Sequence, residues 1–175
     1  MRFRRWFILG ILLTAGILLL ANIGFTDTEA AKSEKGIVWV KYDEGIKLAA
    51  KEQKAILVDF YTNWCGYCKK MDRETFSDPK VAGYLGEKFI AVKVNAESNE
   101  TVVTPGGPVS EKELSRLFGV RGYPTYWFLS SDGEKINNLS GYRPPDIFLT
   151  VAQYIGDSHY KTKTWKEYQE SLPAN

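Results

Sequence analysis

Short apolar runs along the chain predict the strands of a sheet. Residues 55–61 (AILVDFY) and 89–95 (FIAVKVN) are nearly continuous runs of branched and aromatic side chains, which is typical of strands covered on both faces. Residues 125–129 (TYWFL) and 135–139 (KINNL) flank the turn sequence SSDG, so they predict a hairpin. A further short strand is predicted within residues 37–42 (IVWVKY).

Apolar positions three and four apart predict helices between these strands. Asp43 is placed to cap a first helix that runs to about Gln53, and residues 65–76 (CGYCKKMDRETF) predict a second helix, with Met71 and Phe76 facing inward. Further helices are predicted at DPKVAGYL (78–85), SEKELSRLF (110–118), PPDIFLTVAQYI (144–155) and TWKEYQESL (164–172). This order of elements predicts an α/β fold with a mixed central sheet and helices on both faces.

Residues 96–110 (AESNETVVTPGGPVS) interrupt the order of strands and helices. Their proline and glycine content predicts a surface loop without regular structure. Such a loop can shape the choice of partner, although a tolerated surface insertion is the commoner explanation.

The N-terminal residues differ from the rest of the chain. The basic sequence MRFRR precedes the apolar run at 6–25, an order typical of a membrane-targeting segment. We predict that residues 1–25 form one hydrophobic helix retained as an anchor, with a cleaved signal peptide as the alternative and a buried core helix disfavoured. Residues 26–36 are predicted to be a linker, 37–156 a globular domain and 157–175 a C-terminal extension. We therefore expect the globular part outside the cytoplasm, in the periplasm or an equivalent compartment.

Composition and charge favour a globular domain over a disordered chain. Of the 175 residues, 44% are hydrophobic and 14% aromatic, which is enough for a sizeable core. The net charge is +2, but Arg2, Arg4 and Arg5 belong to the N-terminal segment, and without them 20 basic residues remain against 21 acidic ones. The near-neutral remainder argues against nucleic acid as a partner.

Both cysteines of the chain, Cys65 and Cys68, belong to one motif, CGYC. A structural disulfide normally closes a long loop, and a two-residue spacer closes almost none. A closed zinc site needs about four ligands, and the single histidine, His159, is about ninety positions away. A reversible dithiol pair in an oxidising compartment fits the spacing best.

Position in the predicted helix gives the two sulfur atoms different roles. Cys65 lies in the first turn, where unpaired backbone N–H groups and the helix dipole favour the thiolate. Cys68 follows one turn later, within reach of Cys65 but expected to be less accessible. We therefore predict that Cys65 attacks and Cys68 resolves. Trp64 is either a core residue or an aromatic contact surface beside the thiol.

Two charged residues lie inside the apolar runs. Asp59, in the middle of ILVDFY, is expected to be buried, with a raised pKa that suits proton exchange with a nearby thiol. The alternative is an Asp59 at a strand edge that meets solvent. Lys93 lies in the strand at 89–95, and pairing with Asp59 would offset the cost of burying both charges.

Three blocks of the sequence resemble the thioredoxin superfamily. ILVDFYTNWCGYCK resembles the family's active-site strand and helix, VKVN the strand with its lysine, and FGVRGYPTYWFLSSDGEKINNLSGY the late part of its fold. The resemblance covers about 115 residues, from 39 to 155. The stretch that follows Cys68 (KKMDRETFSDPKVAGYL) lacks the helix-kinking proline of thioredoxin. It instead resembles exported members of the family, such as the C-terminal domain of the transmembrane thiol:disulfide interchange reductase and the sulfur-oxidation-associated thioredoxins.

The resemblance implies a thioredoxin fold and a set of site residues. Pro124 falls on the family's cis-proline and Gly141 on its late glycine. The catalytic residues implied are Cys65, Cys68, Asp59 and Lys93. The substrate-binding residues implied are Trp64, Gly66, Tyr67, Tyr123 and Pro124.

These features predict an extracytoplasmic thiol:disulfide oxidoreductase that reduces disulfide-containing protein substrates. We expect no cofactor and no bound metal. A reductase in an oxidising compartment needs an electron donor, which we expect to be a membrane protein. Two alternatives stay open, namely a disulfide oxidase or isomerase on the same fold, and a non-enzymatic module that binds a metal or a partner through the two cysteines.

Overall fold

The computed structural model of the chain describes residues 36–173. The predicted membrane-targeting segment at 1–25 and all but the last residue of the predicted linker at 26–36 lie outside the described residues. Within residues 36–173, none of the helices combines the length and the apolar character that crossing a bilayer requires.

A mixed five-stranded sheet forms the centre of the described structure. Its strands are β1 (Trp39–Val40), β2 (Ala55–Tyr61), β3 (Phe89–Asn95), β6 (Thr125–Leu129) and β7 (Lys135–Ser140). Two further strands, β4 (Thr101–Thr104) and β5 (Gly107–Ser110), form a separate two-stranded sheet. The central sheet has the order β1-β3-β2-β6-β7, so β2 is its middle strand. β3 runs parallel to β1 and β2, whereas β6 and β7 are antiparallel to their neighbours. The predicted mixed sheet is confirmed.

Helices cover both faces of this sheet, as predicted. They are α1 (Tyr42–Glu52), α2 (Gly66–Lys70), α3 (Pro79–Lys88), α4 (Glu111–Leu117), α5 (Pro145–Gly156) and α6 (Trp165–Glu170). α2 continues directly into a π-helical turn, Met71–Thr75. One face carries α1 and α4, and the other carries the π-helical turn, α3 and α5.

β2 contributes to both hydrophobic cores because side chains alternate along a strand. Ile56, Val58 and Phe60 pack in the core under α1 and α4. Leu57 packs in the opposite core, together with Met71 of the π-helical turn. Asp59 shares the face of Leu57, since residues two apart in a strand point the same way. The buried acid therefore faces the helix that follows the cysteines.

The prediction of an irregular loop at residues 96–110 is wrong, because β4 and β5 form a hairpin there. Its two-residue turn follows Thr104, whose hydroxyl accepts from the Gly106 N–H at 3.2 Å and donates to the Gly107 carbonyl at 2.8 Å. Val102 anchors the hairpin in the core under α4. Pro108 is tolerated because both strands of a two-stranded sheet are edges. The prolines and glycines thus mark a tight turn.

The prediction that Asp43 caps α1 is also wrong. The N-cap residue is Lys41, which makes no side-chain cap bond, and Asp43 lies inside the first turn beside Glu44. Both acids interact favourably there with the positive end of the helix dipole. Asp78 and Ser110, in contrast, cap α3 and α4 through their side chains.

Two helical glycines predict opposite outcomes for the same substitution. A Cβ atom at Gly45 of α1 would overlap with Cγ2 of Val92, a buried, branched side chain of β3 that has little freedom to move. We expect Gly45→Ala to lower the free energy of unfolding by about 1–3 kcal/mol through overpacking. A Cβ atom at Gly83 of α3 meets nothing within 4 Å. Gly83→Ala should therefore raise the free energy of unfolding by about 0.5–1 kcal/mol, the difference in helix propensity between glycine and alanine.

Urea unfolding of the two variants beside the wild type measures these effects. Equal midpoints for Gly45→Ala and Gly83→Ala would contradict the close packing of α1 on β3.

Candidate active site

Cys65 and Cys68 form a disulfide at the point where α2 begins, with their Cα atoms 5.3 Å apart. β2 ends at Tyr61, and Cys65 is the N-cap residue of α2. The disulfide therefore lies at the end of the middle strand, where a strand leads into a helix. The helix predicted at 65–76 is confirmed, and its inward residues Met71 and Phe76 are buried.

The backbone of α2 is arranged to stabilise negative charge on the Cys65 sulfur. The N–H group of Cys68 donates a hydrogen bond to Sγ of Cys65 at 3.0 Å. Sγ of Cys65 thus takes the place of the oxygen that usually caps a helix. Such a donor, together with the positive end of the helix dipole, favours a thiolate over a thiol. No comparable bond is found for Sγ of Cys68 within residues 36–173.

The expected difference in accessibility between the cysteines is absent from the disulfide form. Cys65 is 3% exposed and Cys68 is 5% exposed. The disulfide joins the two sulfur atoms and holds both against the protein, so exposure does not distinguish an attacking from a resolving sulfur. The backbone N–H that caps Cys65 does distinguish them.

Asp59 is buried, as predicted, with only 2% of its surface exposed. It lies in the middle strand, paired with Lys93 of β3 on one side and with Tyr126 of β6 on the other. The pKa of Asp59 is raised to about 7: burial is the main cause, the charge of Asp72 adds to it, and the charge of Lys93 opposes it. The carboxyl group can therefore gain or lose a proton near neutral pH.

Lys93 is shared between two acids, and the sequence analysis identified only one of them. Nζ of Lys93 lies 3.9 Å from Oδ2 of Asp59 but 2.6 Å from Oδ1 of Asp72. Asp72 is in the π-helical turn, four residues after Cys68. That spacing places two helical residues on neighbouring positions of one face, a signal that could have identified Asp72. The predicted Asp59–Lys93 pair forms, although its contact is the longer of the two.

Trp64 and Tyr67 form an exposed aromatic rim on either side of Cys65. Trp64 is 66% exposed and Tyr67 is 63% exposed, which excludes the core alternative for Trp64. The indole N–H of Trp64 donates to Oε1 of Glu97 at 3.0 Å, and its ring meets the ring of Tyr123 edge-on at 6.0 Å. Glu97 belongs to the insertion after β3 and was not predicted as a site residue.

A further aromatic residue, Tyr142, lies beside Tyr67, with ring centroids 6.5 Å apart. Its hydroxyl donates to Oε2 of Glu74 at 2.7 Å, and Nζ of Lys70 lies 4.2 Å from its ring centroid. These contacts hold Tyr142 against the outer face of the active-site helix. The sequence analysis singled out Gly141 but missed the aromatic residue that follows it.

The Tyr123–Pro124 bond is cis, as the family resemblance implies. Pro124 is buried, and its carbonyl accepts from the N–H of Gly141 at 2.8 Å. Gly141 has φ +82°, a left-handed conformation that favours glycine. The two residues that the resemblance aligned are thus joined by a backbone hydrogen bond. Gly66, also implied as a contact residue, is exposed in the first turn of α2.

The part of the chain that the structure describes contains no cluster of three or more His, Cys, Asp or Glu side chains placed to hold a metal ion. His159 stacks on Tyr168 with ring centroids 4.9 Å apart. It belongs to the packing of the C-terminal helix α6.

Comparison with known proteins places this geometry in a family. A protein-family model, that of the thioredoxin-like domain, matches residues 42–156 of this chain. The thiol:disulfide interchange protein DsbD of Photorhabdus laumondii is 34% identical over 110 residues, covering 62% of this chain and 18% of that protein. The protein disulfide-isomerase of Drosophila melanogaster is 32% identical over 145 residues, covering 82% of this chain and 25% of that protein. The chain thus spans a quarter or less of these two relatives.

A solved structure shows the same fold. The thioredoxin from Thermus thermophilus is 26% identical, with a TM-score of 0.58 over 80% of this chain and 100% of that one. The thioredoxin fold expected from the sequence is confirmed for the described domain. Since the matching family model spans more than half of the chain, the protein belongs to the family of thioredoxin-like domains.

Proposed function

We propose that this protein is an extracytoplasmic thiol:disulfide oxidoreductase that reduces disulfides in partner proteins through Cys65 and Cys68. The observation that carries the proposal is the hydrogen bond from the Cys68 N–H to the Cys65 sulfur at the start of α2. It sets apart one sulfur as the better thiolate, which is the reactive form in thiol exchange. The names of the DsbD and protein disulfide-isomerase relatives support the same class of reaction.

The first step is attack on the partner. In the reduced protein, the thiolate of Cys65 attacks one sulfur of the partner disulfide and forms a mixed disulfide. The partner's sulfur–sulfur bond breaks, and its other sulfur leaves as a thiolate that takes a proton from solvent. The exposed rings of Trp64 and Tyr67 offer apolar contact to the partner chain on the two sides of Cys65.

The second step is resolution. The thiol of Cys68 loses its proton, and its sulfur attacks Sγ of Cys65, which releases the second partner sulfur and leaves this protein oxidised by two electrons. Asp59 is our proton acceptor in this step, because its pKa of about 7 allows transfer near neutral pH. Lys93 stabilises the carboxylate before the transfer.

Return to the reduced state requires two electrons from a donor dithiol. We propose a membrane protein as the donor, because the N-terminal run of arginine and apolar residues favours location at the outer side of a membrane. With residues 1–25 as an anchor, the domain would stay close to such a donor.

The order of attack predicts different behaviour for two serine variants. We expect Cys68→Ser to accumulate a mixed disulfide with insulin, because Cys65 can attack but nothing resolves the adduct. Cys65→Ser should give about tenfold less adduct, because the Cys68 sulfur lacks the backbone donor of Cys65, and a hydrogen bond to a charged group is worth about 1.5 kcal/mol. Non-reducing electrophoresis of the adducts measures both. The double variant Cys65→Ser/Cys68→Ser is the control, and an adduct that forms mainly in Cys65→Ser would reverse the assignment.

Burial of Asp59 predicts a pH-dependent cost that Asp59→Asn removes. In the unfolded chain the carboxyl group of Asp59 has its ordinary pKa of 3.8, whereas in the folded protein its pKa is about 7. Between these pH values the folded protein keeps a proton that the unfolded chain has released, so stability is lost as the pH rises towards 7. The stability of Asp59→Asn relative to the wild type should therefore grow from pH 4 to pH 8, by about 4 kcal/mol at most.

Urea unfolding of wild type and Asp59→Asn at a series of pH values checks this result. If the difference in unfolding free energy between the two proteins stays constant across the series, the pKa of Asp59 is not shifted by folding. Asp59 would then no longer be a candidate for the proton acceptor.

The direction of electron flow is tested by the reduction potential of the Cys65–Cys68 pair. Equilibration of the full-length chain with glutathione or dithiothreitol, followed by alkylation, gives this value. We expect a potential near that of thioredoxin, about −270 mV, as a reductase needs. A value of about −120 mV would indicate an oxidant and overturn the proposed direction. An intermediate value of about −180 mV would favour the isomerase that the protein disulfide-isomerase relative suggests.

A further inference from the structure

Tyr126 lies directly opposite Asp59 in the antiparallel pairing of β2 with β6. Paired residues of this kind point to the same face, with Cβ atoms about 4.5–5.5 Å apart. Leu57 and Tyr126 share the core on that face. The ring of Tyr126 is held by edge-on contacts with Phe76 and Phe148, at 5.7 and 5.3 Å between centroids. A phenol of fixed direction therefore stands beside the buried carboxyl.

Both side chains carry a buried polar atom that the described part of the chain leaves without a partner. These atoms are Oη of Tyr126 and Oδ1 of Asp59. The two residues are 0% and 2% exposed, respectively. Buried polar atoms in folded proteins almost always have a hydrogen-bond partner, so two unpartnered atoms on directly paired residues call for a common explanation.

Neighbouring charged groups do not supply the missing partner of Oδ1. Those that act on the pair are Lys93 of β3, Asp72 of the π-helical turn, Tyr61 at the end of β2 and Arg143 after β7. Nζ of Lys93 contacts Oδ2 and is bonded more closely to Asp72. Cys68 of α2 is held in the disulfide with Cys65 and carries an exchangeable proton only in the reduced protein. The hydroxyl of Tyr126, which is directly paired with Asp59, is itself unpaired, as is the hydroxyl of Thr62 just after β2.

A single water molecule is the natural link between the two atoms. A tyrosine side chain is longer than an aspartate, so from paired positions its oxygen lies further from the sheet than the carboxyl oxygens. Water molecules that bridge buried polar groups are regular parts of folded proteins and are nearly as good as direct hydrogen bonds. The negative charge of Asp59 also raises the pKa of Tyr126, after the larger effect of burial, as expected for groups that sense each other.

We propose that Tyr126 is a positioning residue for the proton step, and that its hydroxyl donates through one buried water to Oδ1 of Asp59 and stabilises the carboxylate. Hydrogen bonds to an ionised acceptor are stronger than those to a neutral one, so the contact favours the ionised form over the protonated form. When the proton of Cys68 arrives, the water can turn and accept from the carboxyl group. The proposal rests on the proposed role of Asp59 and adds a residue that sets how readily Asp59 takes the proton.

The test is Tyr126→Phe, which keeps the ring and removes only the hydroxyl. Carbon-13 NMR of the Asp59 carboxyl in the oxidised, full-length chain follows its titration. We expect the midpoint to rise by roughly half a pH unit to one unit, because the carboxylate loses a charge-assisted hydrogen bond. The matched control is Tyr84→Phe, which removes another buried phenol hydroxyl, in α3, where Tyr84 packs on Phe89. This control should leave the Asp59 midpoint unchanged.

A double variant separates an effect through Asp59 from a general change in packing. Tyr126→Phe should alter the pH dependence of the unfolding free energy in the wild-type background but not in Asp59→Asn. An Asp59 midpoint that stays in place or falls in Tyr126→Phe would overturn the proposal, as would an equal change in both backgrounds. Because the titration is read on the resting disulfide form, its result does not depend on whether the protein reduces partner disulfides.

Discussion

The burial of one carboxyl group, that of Asp59, is the constraint around which the site is organised. The middle strand β2 is flanked by β3 and β6, and the core that contains Met71 covers the face on which Asp59 lies, so the carboxyl has almost no access to water. A carboxylate in such a place needs compensation or must take up a proton. Lys93 supplies only part of the compensation, because its closer contact is with Asp72. As a result, the pKa of Asp59 is about 7, and the carboxyl group is only partly ionised at neutral pH.

The helix that carries the cysteines is tied to the cis-proline loop by a series of side-chain and backbone contacts. In the π-helical turn, the N–H of Phe76 bonds to the carbonyl of Met71 at 2.8 Å. The hydroxyl of Thr75 donates to the carbonyl of Arg143 at 2.7 Å, and the N–H of Arg143 contacts Sδ of Met71 at 3.3 Å. Two residues before Arg143, Gly141 bonds to the carbonyl of Pro124. A continuous series of contacts thus links the two parts of the site that are furthest apart in the sequence.

Sequence patterns predicted those features that depend on local composition. The strand at 55–61 and the helix after Cys65 follow from apolar spacing, and the burial of Asp59 follows from its neighbours on both sides. The cis bond before Pro124 came only from family resemblance, since cis is the minority state of such bonds. Asp72 and Tyr142 were missed because their roles depend on contacts with Lys93 and Glu74, and the contacts of Tyr142 join residues far apart in the chain. The hairpin at 101–110 was missed because Pro105 and Gly106 were read as breaking structure, whereas they form its turn.

The base of the hairpin is joined to the exposed aromatic rim beside the disulfide. The segment that leads to the hairpin begins after Asn95, the last residue of β3, whose carbonyl accepts a hydrogen bond from the Ser98 N–H. The carbonyl of Ser98 in turn accepts from the N–H of Lys112 at 3.0 Å. Glu111, buried with a raised pKa caused mainly by that burial, sits where α4 begins. Between these anchored residues Glu97 reaches the indole N–H of Trp64. A change in the hairpin can therefore act on Trp64 through one hydrogen bond while leaving Cys65 and Asp59, which α2 and β2 position, in place. The orientation of the Trp64 ring and the position of the disulfide thus depend on different contacts.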